Sequence, residues 1–100
     1  MVRVVGCLSL NDDDYLLDKS SPPKRVRHGD ETDERELAQS SRVPLGALGF
    51  RLSNLADDFS ESKLQALLAR KLQVKGVMNG QGDTARIYVL SIESLGQECH

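Results

Sequence analysis

The chain has 100 residues, of which 39% are hydrophobic and 4% aromatic, with no Trp. That allows one small domain at most, and leaves little apolar mass to oppose a backbone ordering cost of about 1–2 kcal/mol per residue. A formal net charge of −2 gives no electrostatic basis for general nucleic-acid binding, and no run approaches the eighteen or so apolar residues of a membrane helix.

The first ten residues, MVRVVGCLSL, alternate enough apolar and β-branched positions to predict a strand over 1–10. Their apolar part is too short and too soon interrupted for a signal peptide. Asn11-Asp12-Asp13-Asp14 ends that strand, and Tyr15-Leu16-Leu17 follows as an apolar island among acids. Residues 11–42 read as a disordered, charged linker. Ser20-Ser21-Pro22-Pro23 breaks regular structure, and a basic cluster, Lys24-Arg25-Val26-Arg27-His28, leads into an acidic stretch through Glu36. Glu31 to Gln39 has only Leu37 as a large apolar residue, enough for a transient helix and no more.

Residues 43–73 form the predicted helical interaction segment. Leu48, Leu52, Leu55 and Phe59 recur at helical steps, and fall within a stripe roughly 60° wide. Beyond Phe59 the register changes to Leu64, Leu67, Leu68 and Leu72, with Ser60 or Ser62 as a new cap. Two helices, 45–59 and 62–73, are therefore expected, the first weakened by Gly46 and Gly49. Residues 74–100 are β-prone: Asn79-Gly80-Gln81-Gly82-Asp83 signals a turn, and TARIYVLSI from Thr84 to Ile92 alternates as a strand. Tyr88, Leu90 and Ile92 fall on one face of it, and Ile87 and Val89 on the other. This strand could pair with Val74 to Met78 or with the N-terminal strand. The two cysteines, Cys7 and Cys99, are no disulfide framework, so the thiols read as reduced and the protein as intracellular.

The segment Leu48-Gly-Phe-Arg-Leu52-Ser-Asn-Leu55-Ala56-Asp57-Asp58-Phe59 resembles the death-domain helix of BH-three-only proteins, the apoptosis inducers that bind the Bcl-two family. The resemblance covers about a dozen residues. It implies that Leu48, Leu52, Leu55 and Phe59 fill groove pockets, that Ala56 permits close approach and that Asp57 pairs with a groove arginine, in a helix that folds on binding. Three further motifs are short. Ser21-Pro22-Pro23-Lys24 fits a proline-directed kinase site at Ser21, and Lys24, Arg25 and Arg27 resemble a nuclear import signal for an import receptor. Leu64, Leu67 and Leu68 make an LxxLL box, a spacing that any helix burying one face also shows.

No catalytic set is present. His28 and His100 are the only imidazoles, and the Glu98-Cys99-His100 tail supplies too few ligands for a metal centre. The sequence thus reads as mostly α with disorder: a disordered N-terminal half, two short central helices and a weak C-terminal β-hairpin or strand. The expected function is a non-enzymatic, cofactor-free module binding a Bcl-two family protein in the cytoplasm or at the mitochondrial surface. The alternative is a nuclear regulatory adaptor built on the import signal, the Ser21 site and the LxxLL helix.

Overall fold

The computed structural model describes residues 1–26, 34–80 and 85–99. β1 (Val2–Asn11) directs Val4 and Leu8 into the core and turns at Asp12-Asp13 into β2 (Asp14–Ser20), with Asn11 opposite Asp14. Asp12 sits at φ 55°, a left-handed conformation that a short polar side chain tolerates better than most. The acidic run is therefore a tight hairpin. Past a bulge after Leu17 the chain stays against β1: Ser21 N–H donates to the Val5 carbonyl, and β3 (Lys24–Arg25) pairs with Val2 and Arg3.

After α1 (Glu34–Ser41), β4 (Leu48–Leu52) pairs antiparallel with β2 on one edge and parallel with β6 on the other. Two short helices follow, α2 (Leu55–Asp58) and α3 (Glu61–Leu67), the latter capped by the Ser60 hydroxyl accepting from Lys63 N–H. β5 (Arg70–Asn79) and β6 (Arg86–Glu98) form the longest antiparallel pair, and β5 returns to β1. β1, β2, β4, β6 and β5 each have a neighbour on both sides, in the circular order β1-β2-β4-β6-β5-β1. This is a closed five-stranded Greek-key barrel, and β3 merely prolongs the β2 side of β1. Closure removes the exposed strand edges through which sheets aggregate.

The barrel interior is filled by Val4, Leu8, Leu17, Phe50, Leu52, Leu72, Val74, Ile87, Val89 and Ile92, with Leu55 and Leu64 of the helices buried among them. Ile92 reaches this interior because the register slips: Lys75 faces Ser91 but Gly76 faces Val89, so Leu90 bulges out and the alternation reverses. Gly76 is required at that bulge, because a Cβ there would lie 2.1 Å from the Tyr88 carbonyl oxygen.

The outer side of β5 is polar and covered. Gln73 and Lys75 are buried, and α1 lies over them. Glu36 accepts from Gln73 Nε2 at 3.2 Å and pairs with Lys75 at 2.8 Å and Arg3 at 3.3 Å, while the Ser40 hydroxyl donates to Gln73 Oε1. Lys71 Nζ donates to the Ser41 carbonyl at 2.9 Å. A helix with almost no apolar face is thus held by charge-assisted hydrogen bonds. Cys7 and Cys99 form a disulfide that ties β1 to the end of β6, in place of the reduced thiols expected.

The structure overturns the expectation of a mostly helical, half-disordered chain. Its radius of gyration is 12.2 Å, against about 13 Å for a folded and about 30 Å for an unfolded chain of this length. The supposed linker over 11–42 contains β2, β3 and α1. Hydrophobicity alone misjudged it, because polar groups such as Ser20, Ser21 and Ser40 are buried with hydrogen-bond partners. The expected helix over 45–59 is instead a strand and a single helical turn. Leu48, Phe50 and Leu52 follow period two through exposed Gly49 and Arg51, and the chain turns at Ser53-Asn54.

Two predictions follow from these cross-links. The bridge spans 92 residues, so replacing both cysteines by Ala should lower unfolding stability by about 2–5 kcal/mol, read from denaturant midpoints. Glu36→Ala leaves buried Lys75 without its carboxylate and should cost about 3–5 kcal/mol. A change below about 0.5 kcal/mol would mean that α1 is not docked on β5.

Candidate binding cleft

The residues singled out in the sequence do not share one face. Leu48 is exposed on β4, Leu52 and Leu55 are buried in the barrel interior, and Phe59 packs partly against it. Ala56 and Asp57 are exposed on the single turn α2. No continuous helix carries these six side chains, so the expected disordered, amphipathic helix is corrected: Leu52 and Leu55 belong to the protein's own core and Phe59 packs against it. Leu64 is buried, with Leu67 and Leu68 packed against the same core. The Ser21 hydroxyl is buried and accepts from Val5 N–H at 3.2 Å, which leaves a kinase no access without peeling this segment from β1. Lys24 and Arg25 are exposed on β3, while Arg27 and His28 lie outside the described residues.

What the fold does assemble is a cleft at one end of the barrel. It occupies about 270 Å³ between the β1–β2 turn, the end of β4 with the start of α2, and the first residue of β6. Asp13, Asp14 and Tyr15 line one side, and Arg51, Leu52, Ser53, Leu55, Ala56 and Arg86 the rest. A second hollow of about 170 Å³ adjoins it, lined by Tyr15, Ala56, Phe59, Glu61 and Leu64. Tyr15 and Ala56 line both hollows, so Tyr15 stands where the two meet. Tyr15 also packs against the core, which fixes its ring while one side stays open. Phe59 is flanked by Lys63, whose Nζ lies 5.3 Å from the ring centroid.

The floor of the cleft rests on Asn54. Its buried side-chain amide accepts from Val89 N–H at 2.7 Å and donates to the Val89 carbonyl at 2.8 Å and to Asp58 Oδ2 at 2.6 Å. The amide thereby stands in for a backbone peptide and continues the pairing of β4 with β6 after the main chain has turned away. Arg51 and Arg86 are direct neighbours in that parallel register. Both are exposed, and among the described residues neither has an ion-pair partner.

Sequence reasoning passed over Asn54, Arg51 and Arg86. Nothing local marks them, since Arg51 and Arg86 meet only through a parallel pairing across 35 residues of chain. Tyr15 did stand out as an apolar island, but its place in a groove depends on the hairpin that carries it.

Among the described residues there is no cluster of His, Cys, Asp and Glu able to hold a metal ion, and no helix is long and apolar enough to cross a membrane. Comparison with protein-family models, with curated proteins and with solved structures finds no match.

Asn54→Ala strips two buried backbone groups of Val89 of their partners at about 1–3 kcal/mol each. We expect a loss of about 2–4 kcal/mol in stability, and chemical-shift changes spreading to Arg51 and Arg86 in amide NMR spectra. Asn54→Asp keeps the acceptor but sets a carboxylate oxygen against Asp58 Oδ2 and the Val89 carbonyl, so it should cost at least as much as Asn54→Ala.

Proposed function

We propose that this protein is a small non-catalytic binding module of the oligonucleotide/oligosaccharide-binding barrel type, and that its ligand is an oligosaccharide. The observation that carries the reading is the position of the groove. Barrels of this connectivity hold extended ligands over their second and third strands, next to the loop between the first two. Here those elements are β2, β4 and the Asp12-Asp13 turn, and the groove lies against them. A barrel of this type serves many functions, so the ligand class is argued from the side chains.

Each of the two hollows is smaller than the roughly 300–1,000 Å³ of a pocket that engulfs a small molecule, which suits a chain held unit by unit. Tyr15 offers an apolar ring face with a polar tip, suited to a sugar ring. Asp13 and Asp14 accept from hydroxyls, and Arg51, Arg86 and Ser53 donate. Three consecutive aspartates at the turn and a net charge of −2 disfavour a phosphate backbone. The Cys7–Cys99 bridge supports residence in an oxidising compartment rather than the reducing one first expected.

The test is a titration of the isotope-labelled protein with a panel of neutral and acidic tetra- to hexasaccharides. At least one should shift the amides of Tyr15, Arg51, Ser53 and Ala56 together, and Tyr15→Ala should weaken that binding by ten-fold or more. Absence of any shift at millimolar sugar, or shifts confined to another face, would refute the reading.

A further inference from the structure

Beyond the groove, little on the molecule reaches a ligand. The Glu36 cluster is closed by its own partners, and the exposed Val77, Tyr88 and Leu90 have nothing in the structure to say what covers them. The Arg51–Arg86 pair is different.

Like charges placed directly opposite one another on adjacent strands repel. Arg3 and Lys75, a pair of cations brought together by β1 and β5, share Glu36. Arg51 and Arg86 have no such counter-ion among the described residues, although both line the cleft. Their backbones are fixed: Arg51 N–H donates to the Ala85 carbonyl, and the next turn is pinned by Asn54 to Val89. Two guanidinium groups on a rigid base, open to the cleft, form a receptor for a planar two-oxygen anion, because each presents parallel N–H donors that match such a group.

We infer that Arg51 and Arg86 together bind a carboxylate carried on the ligand, so that the preferred oligosaccharide contains uronic acid. This rests on the oligosaccharide reading above and adds the charge of one ligand unit. Asp13 and Asp14 on the same cleft complete the selection. They accept from hydroxyls of a neighbouring unit.

The experiment compares tetragalacturonate with its fully methyl-esterified form and with an oligothymidylate of four units, titrated into the intact protein at low and at physiological salt. The acid should bind at least ten-fold tighter than the ester, with a preference that shrinks as salt rises. Arg51→Gln and Arg86→Gln should each bring the acid-to-ester ratio close to one, while Lys24→Gln, on exposed β3 outside the groove, should leave the ratio as it is in the wild type. Both arginine side chains are exposed, and unchanged thermal midpoints will show that their variants remain folded.

An acid-to-ester ratio near one in the wild type, or a preference that survives both substitutions, overturns the carboxylate site while leaving oligosaccharide binding standing. Oligothymidylate binding tighter than the acid overturns the carboxylate site and the saccharide reading together. So does failure of all three probes combined with silence of the wider sugar panel.

Discussion

The barrel closes on a seam of two residue pairs, Arg51 with Arg86 and Leu52 with Ile87. Every other junction around the ring is an antiparallel pairing of greater length, so this short parallel contact decides whether the chain is a barrel or an open sheet. Ser53 N–H prolongs it by donating to the Ile87 carbonyl, and the Asn54 side chain carries it on to both backbone groups of Val89. The same seam sets the two arginines side by side and lays the floor of the cleft. Fold closure and site geometry therefore depend on one set of hydrogen bonds.

A chain with few aromatic residues needs more than its core to hold such a shape. The interior is small and, Phe50 apart, aliphatic, and the rest is supplied by specific polar links. Glu36 gathers Arg3, Gln73 and Lys75 under α1, Ser21 is hydrogen-bonded to β1, and the disulfide removes much of the freedom of the unfolded chain. Each link is directional, so each fixes a register as well as adding stability. Ala69, held at φ 61° between the Leu8 carbonyl and Cys99 N–H, shows how tightly this corner is drawn. A non-glycine residue stays in that conformation only where its surroundings determine it.

How much of this is legible in the sequence depends on which signal is local. The β-branched alternation of Val2 to Leu10 and of Thr84 to Ile92 is visible because it belongs to single strands. In Leu48 to Phe59 two periods compete: Leu48, Leu52, Leu55 and Phe59 fit a helix, while Leu48, Phe50 and Leu52 fit a strand. Gly46 and Gly49 weigh against the helix, and Gly46 has a reason of its own, since a Cβ there would lie 2.4 Å from the Ser20 carbonyl oxygen. The burial of Ile92 could not be read, because the bulge at Leu90 reverses its face. Nor could the order of residues 11–26 and 34–42, whose hydrogen-bond partners lie mostly on β1 and β5. The groove is the least legible part, being built from pieces of β2, β4, α2 and β6 that meet only once the ring has closed.

If the seam is what holds the ring, its backbone amides are as well protected as the core. Hydrogen exchange followed by NMR on the intact, oxidised protein tests this at Ser53 and Val89, whose N–H groups donate to the Ile87 carbonyl and to Asn54 Oδ1. The closed barrel predicts that both exchange only through global unfolding, at the rate of the most protected amides of β5 and β6. Exchange of both at the rate of an exposed strand edge, with β5 and β6 still protected, would mean that the sheet is open and that the cleft does not exist as described.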